Sequence, residues 1–271
     1  MVAPRTSRST RRTSLLLELG PSADPRVVAT ASSIKWWLTC WSNERCLRMI
    51  LASAWNNIKQ QVVRPDGTTN WSLVHGPIGT VIANLNRIGW IPGSPAKWSA
   101  PNGQIWEILP DGPFTPTNPQ SILDAITQDC VKTLLKKAEN HRWGAGLGGG
   151  VDFAVAKKHL DKLSRDHCFS ERGLLATAIK GGLWPLARVH EAYPEVDPKC
   201  GCGADLQDEA HLIWSCPNIL QSDDPRIQSS NFLAKAALKD IGRNVNFIYW
   251  IRRLVPTRWF PDAGGFDEDP I

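Results

Sequence analysis

Apolar residues recur at intervals of three and four positions along much of the chain, a pattern typical of amphipathic α-helices. Asp24-Pro25 has the features of a helix start, with the aspartate as N-cap and the proline at the first helical position. A second helix is predicted over 43–63, where a Pro-Asp-Gly turn ends it. A third is predicted over 77–88, with a glycine cap after it.

One segment has the pattern of a β-hairpin. Trp98 and Trp106 flank Pro101-Asn102-Gly103, and the Asn-Gly pair favours a tight turn between two strands. Residues 109–119 follow with four prolines and are predicted to form a connector.

The rest of the chain is again predicted to be helical. A helix should run from Asn118-Pro119 to about residue 141, and the glycine-rich segment 144–150 should form a flexible break. Asp152 is expected to cap the next helix, and two more are predicted from Ser170 to the glycines at 181–182 and over 184–192. Three cysteines on apolar helix faces are predicted to be core thiols: Cys40, Cys46 and Cys130.

The composition is that of a globular protein. The chain has 271 residues, 42% of them hydrophobic and 21% charged, which argues against disorder of the whole chain. No apolar run approaches the roughly 20 residues of a membrane span, so no membrane partner is expected. Four segments are predicted: a disordered basic arm 1–24, a helical segment with the hairpin 25–117, a basic helical domain 118–217, and C-terminal helices with an acidic tail 218–271.

The net charge of +5 is distributed unevenly. Residues 131–190 contain eleven Lys and Arg against five Asp and Glu. A basic region of this kind favours an anionic partner, most simply RNA or DNA, because phosphates attract Lys and Arg whatever the sequence. A solvated helix face rich in lysine is the alternative. The candidate nucleic-acid contacts are Lys132, Lys136, Lys137, Arg142, Lys157, Lys158 and Lys162, with Trp143 or Trp184 as possible stacking residues.

The location expected from the sequence is nuclear or cytoplasmic. Seven cysteines without a signal peptide favour a reducing compartment. The first 20 residues are rich in Arg, Ser and Thr, which is also typical of mitochondrial or plastid transit peptides. A flexible basic arm explains the same composition.

The clearest chemical motif is a set of four potential metal ligands within 17 residues. Cys200 and Cys202 are spaced C-x-C, and His211 and Cys216 are spaced H-x4-C. Zn²⁺ prefers four sulfur and nitrogen ligands in a tetrahedron, so these residues are predicted to bind a structural Zn²⁺ ion. Zinc modules more often use C-x2-C, and His190 is a conceivable substitute ligand. The predicted fold class is therefore mainly α, with helical bundle-like segments, one β-hairpin and a small zinc-binding loop.

Little in the chain suggests catalysis. A zinc ion with four protein ligands has no open position for an activated water. The glycine-rich segment lacks the Gly-Lys-Ser/Thr of a phosphate-binding loop. Acidic clusters at 223–224 and 267–269 lie in turn-like sequence and are more typical of solvated loops than of Mg²⁺ sites. No catalytic residues are assigned.

The motif and its surroundings resemble a known family. The sequences GGLWPLAR at 181–188, DPKCGCG at 197–203 and EAHLIWSCP at 209–217 are similar to the zinc-binding region of non-LTR retrotransposon reverse transcriptases. That region follows the polymerase thumb. Here the first pair is C-x-C rather than the family's usual C-x2-C, and no Tyr-x-Asp-Asp polymerase motif is present. The resemblance implies a segment between the polymerase and any RNase H domain.

The expected function is that of a zinc-stabilised, nucleic-acid-binding fragment of a retrotransposon reverse transcriptase, without its own polymerase active site. Its expected partners are RNA or DNA and a retroelement polymerase. A non-catalytic structural or protein-interaction scaffold is the alternative, and residual nuclease or polymerase activity is a third hypothesis. Binding that weakens with salt would distinguish the first from the second.

Overall fold

The computed structural model describes residues 24–43, 45–108, 119–140 and 144–259. Several predictions lie outside these residues: nearly all of the basic arm 1–24, the connector after residue 108, the Arg142 and Trp143 contacts, and the acidic tail after residue 259. Of the described residues, those up to Leu134 form one compact unit and those from Leu135 onward form another. They are called the N-terminal and C-terminal units.

The described chain is mainly helical, as predicted. The α-helices of the described residues are α1 (Pro25–Asn43), α2 (Arg45–Val62), α3 (Gly76–Arg87), α4 (Pro119–Glu139), α5 (Phe153–Arg165), α6 (Phe169–Ile179), α7 (Leu186–Ala192), α8 (Pro217–Leu220), α9 (Pro225–Gln228), α10 (Ala234–Gly242) and α11 (Phe247–Arg252). The boundary between the two units falls within α4. None of the helices in the described ranges combines the length and the apolar character needed to cross a membrane.

Buried tryptophans form much of the core of the N-terminal unit. Trp37, Trp55, Trp90 and Trp98 are completely buried. The Trp37 ring lies 4.7 Å from that of Trp55, and its indole N–H donates to the Pro95 carbonyl at 3.1 Å. The indole N–H groups of Trp90 and Trp98 also have partners, the Asp129 carboxylate and the Ser94 carbonyl, whereas that of Trp55 has none among the described residues. A buried ring with a partnered N–H is held in one orientation.

The predicted hairpin is present and belongs to a small antiparallel sheet in the order β1 (Ile91–Ser94), β2 (Lys97–Ser99), β3 (Ile105–Glu107). Trp98 and Trp106 are direct cross-strand partners in β2 and β3. Gly103 in the turn has φ +84°, a left-handed conformation that glycine adopts without strain. The sequence did not predict β1, a four-residue strand with a proline and a bulge.

The cysteines on the helix faces differ in burial. Cys130 in α4 is buried, as predicted for a core thiol, and burial raises the pKa of its side chain. Cys40 is half-buried, and Cys46 is exposed. The prediction is wrong for Cys46. The apolar stripe of α2 is buried only further along the helix, at Leu51 and Trp55.

In the C-terminal unit, α5 begins at the predicted cap. The Asp152 carboxylate accepts from the backbone N–H of Ala154 at 2.9 Å and of Val155 at 3.4 Å. The glycine-rich segment 144–150 precedes α5 and interrupts the helices, as predicted. Leu147 within this segment is fully buried and packs it against the core. The hydroxyl of Tyr249 in α11 lies 2.9 Å from the Gly146 carbonyl and 3.0 Å from that of Gly150.

Candidate metal centre

Cys200 and Cys202 lie in a tight loop closed by backbone hydrogen bonds. The Cys200 N–H donates to the Ala204 carbonyl at 2.9 Å, and the Gly203 N–H donates to the Cys200 carbonyl at 2.9 Å. Gly203 has φ +96°, and an added Cβ there would meet nothing within 4 Å. The glycine is therefore needed for the backbone turn and not for space.

His211 and Cys216 are brought together by a π-helical turn, His211–Ser215. The Cys216 N–H donates to the His211 carbonyl at 2.8 Å, an i to i+5 bond. Because this wider turn returns the chain to the same side after five residues, it suits the H-x4-C spacing. Asp208 caps the start of this turn, since its carboxylate accepts from the His211 N–H at 2.7 Å.

The four predicted ligand atoms converge. The Cys200, Cys202 and Cys216 sulfurs and a His211 ring nitrogen all lie within 4.8 Å of one another. The Cys200 and Cys216 sulfurs are 3.9 Å apart, and the Cys202 sulfur is 3.3 Å from His211 Nε2. A tetrahedron with metal–sulfur bonds near 2.3 Å has sulfurs separated by roughly 3.8 Å. The group can therefore hold a metal ion with small adjustments at its widest pair.

Cys200 and Cys202 differ in acidity. The backbone of Cys202 and the Gln207 amide, whose Nε2 donates to the Cys200 sulfur at 3.4 Å, lower the pKa of Cys200 to about 6. The backbone of Ala204 favours the Cys202 thiolate, but desolvation and the sulfurs of Cys200 and Cys216 outweigh it and raise the pKa of Cys202. The Cys200 thiolate thus forms readily, and a bound cation would favour ionisation of Cys202 beside it.

The imidazole of His211 has a partner on each nitrogen. Nε2 faces the Cys202 sulfur, and Nδ1 lies 3.3 Å from the Ser215 hydroxyl. A hydrogen bond at Nδ1 fixes the ring and leaves Nε2 as the donor atom for a metal. His190, considered as a substitute, lies outside the cluster, and its Nδ1 is 2.7 Å from the Val196 carbonyl.

Three supporting residues were not identified from the sequence: Gln207, Asp208 and Ser215. Asp208 had a local signal, because it directly precedes the helical residues that begin at Glu209, and an Asp in that position commonly accepts from the N–H three residues later. Gln207 had none, since its contact with Cys200 depends on how the loop closes. Its backbone carbonyl also accepts from the Ala187 N–H at 3.0 Å, which joins the loop to the first turn of α7.

A largely buried ion pair joins the same loop to α7. Arg188 and Glu209 are 3.2 Å apart, and their side chains are only 12% and 14% exposed. Arg252 lies close by, and desolvation, together with the charge of Arg188, lowers its pKa to about 10. The ligand loop is thus attached to the core of the C-terminal unit by charged as well as backbone contacts.

The described lysines that were predicted to contact nucleic acid lie on two helices, α4 and α5. Lys132 is exposed on α4 and forms an ion pair with Asp129 at 3.1 Å. Lys136 and Lys137 are exposed in the last turns of α4. The other described candidates, Lys157, Lys158 and Lys162, are exposed on α5. Trp184, considered for stacking, is 42% exposed.

The acidic cluster at 223–224 has a structural role in the described chain. Asp224 caps α9 and accepts from the Arg226 guanidinium at 2.7 Å. Hydrogen bonds from the side chain and backbone of Arg226 lower the pKa of Asp224 to about 2. The cluster 267–269 lies outside the described residues.

Comparison of the chain with models of protein families, with curated proteins and with solved structures gives no match.

Proposed function

We propose that Cys200, Cys202, His211 and Cys216 bind a structural Zn²⁺ ion. The observation that carries this proposal is the convergence of three sulfurs and one imidazole nitrogen within 4.8 Å. This donor set matches the preference of Zn²⁺ for thiolate and imidazole, whereas Mg²⁺ and Ca²⁺ require oxygen ligands. With four protein ligands the ion would have no open position, so its role would be to hold the loop and the π-helical turn together.

Metal content tests the zinc proposal. The protein purified without chelator should contain about one equivalent of Zn²⁺, and its Co²⁺ form should show the visible absorption of a tetrahedral thiolate site. Cys216→Ser and His211→Ala should lose both signals. Cys46→Ser and His190→Ala are matched controls outside the cluster and should keep them. Full metal content in Cys216→Ser would refute the assignment.

We further propose that the chain is a nucleic-acid-binding module of the kind found after the polymerase domain of non-LTR retrotransposon reverse transcriptases. The sequence resemblance around 181–217 supports the family, and the exposed lysines of α4 and α5 support the ligand. The lysines on α5 are directed away from its buried residues, Ala156 and Leu160. They are therefore free of a packing role and suited to contact phosphates.

Matched charge reversals test nucleic-acid binding. Lys158 and Lys162 form an exposed i, i+4 pair on α5, and Lys235 and Lys239 form another on α10. Changing the first pair to Glu should weaken binding and reduce the slope of log K against log salt by about 1.5, since two phosphate contacts are lost. Changing the second pair alters the net charge equally and should have a smaller effect. Equal effects would indicate a non-specific charge response, and no binding by the parent chain would favour the scaffold alternative.

A further inference from the structure

An exposed aromatic pair lies where α5 ends and α6 begins. Phe169, the first residue of α6, is 65% exposed, and the His167 and Phe169 ring centroids are 5.9 Å apart at an interplanar angle of 69°. His167 is exposed and has φ +58°, in the left-handed region that non-glycine residues rarely adopt. The corner therefore presents two rings to solvent, and the Phe169 ring contributes little to the core.

The corner directly follows the basic face of α5. Lys158, Lys162 and Arg165 are spaced i, i+4 and i+7 on the side opposite the buried Ala156 and Leu160. Arg165 and His167 are two residues apart, so their Cα atoms lie at most about 7 Å from each other.

The acids of this segment are Asp161 and Asp166, against four Lys and Arg over 157–166. The row of cations thus leads into the aromatic pair with a net positive charge.

We infer that this surface binds single-stranded nucleic acid, with an unpaired base stacked on Phe169 beside the edge-on His167 ring and the backbone phosphates along Lys158, Lys162 and Arg165. The inference rests on the proposed function and adds the class of nucleic acid. A phosphate-binding row beside an exposed ring is the arrangement that proteins use for single strands, because every base offers a face for stacking. A duplex keeps its bases stacked on one another, so it can use the cations but not the rings.

Fluorescence anisotropy with two labelled probes tests the inference: a 12-nucleotide oligouridine and an RNA duplex of the same length. Phe169→Ala should weaken oligouridine binding about tenfold, which corresponds to one lost base stack, and leave duplex binding unchanged. The salt slope should stay the same because no charge is removed. Phe169→Trp should restore binding.

Phe232→Ala is the matched control, since this phenylalanine is 75% exposed on another element of the same unit, the turn Asn231–Leu233. It should bind both probes like the parent protein, and unchanged thermal melting of both variants would confirm their folds. If Phe169→Ala binds oligouridine as tightly as the parent, or loses both probes equally, the stacking surface is refuted while nucleic-acid binding stands. If the parent binds neither probe, the proposed function itself fails.

Discussion

The hydroxyl of Tyr249 offers a sensitive test of how the C-terminal unit is held together. Tyr249 is 3% exposed, and its Oη contacts the carbonyls of Gly146 and Gly150, about a hundred residues earlier in the chain. Tyr249→Phe removes the hydroxyl and keeps the buried ring, so the change isolates the hydrogen bond from packing. The glycine-rich segment would then lose the polar contact that ties it to α11.

The expected loss follows from the partners that remain. The Gly146 carbonyl also accepts from the Gly149 N–H at 3.3 Å, and the Gly150 carbonyl from the Thr257 N–H at 3.4 Å. Both bonds are long, so they offset only part of the loss. A buried hydrogen bond contributes about 1 kcal/mol net, and an acceptor left wholly unsatisfied would lose up to about 3 kcal/mol. Tyr249→Phe should therefore reduce the free energy of unfolding by about 1–2 kcal/mol.

Thermal and urea unfolding, followed by circular dichroism, measure this loss. One kcal/mol corresponds to about 2–4 °C in Tm for a protein of this size. Tyr193, the other tyrosine of the chain, is 51% exposed, so Tyr193→Phe provides the same chemical change without burial. If the two variants differ by less than about 0.5 kcal/mol, the range of ordinary surface substitutions, the hydroxyl does not anchor the segment.

Other residues give shorter tests. Asp152→Ala removes the cap of α5 and should lower stability by about 1 kcal/mol in urea unfolding, and an unchanged midpoint would contradict the cap. Asp240 has a lowered pKa because a tryptophan N–H donates to it. The Asp240 carboxylate should stabilise the fold fully at neutral pH, and this stabilisation should fade as the pH falls below about 4 through the folded-state pKa. The Tm values of Asp240→Asn and the parent should therefore differ at pH 7 and converge in acid. Gly181→Ala should lower Tm, because φ is +68° and the new Cβ would lie 2.7 Å from the Arg252 guanidinium. Gly173→Ala should raise Tm, because this helical glycine has open space around it.

Features determined by neighbouring residues could be predicted from the sequence. Asp24 and Asp152 cap their helices because a short acidic side chain reaches the free N–H groups of the next turn. Gly103 marks the hairpin because its conformation is required by a tight turn. The four potential metal ligands were identifiable because sulfur and imidazole at close spacing have few other uses together.

Features that depend on distant partners could not be predicted in this way. The strand β1 contains Pro92 and Gly93, which usually oppose strand formation, and it exists because β2 pairs with it. Cys46 lies on an apolar stripe, yet no described element covers that end of α2 enough to bury it. The link between Tyr249 and the glycine-rich segment joins residues a hundred positions apart. In each case the deciding contact comes from tertiary packing.

The C-x-C spacing illustrates both kinds of information. With one residue between Cys200 and Cys202 instead of two, the loop has less freedom to direct both sulfurs at one point. The structure accommodates this in two ways: the left-handed Gly203 tightens the loop, and the π-helical turn places Cys216 on the same side as His211. The Cys200 sulfur then pairs with Cys216, and the Cys202 sulfur with His211. The C-x-C spacing is therefore compatible with a four-ligand site, because the π-helical turn brings His211 and Cys216 to the sulfurs of Cys202 and Cys200.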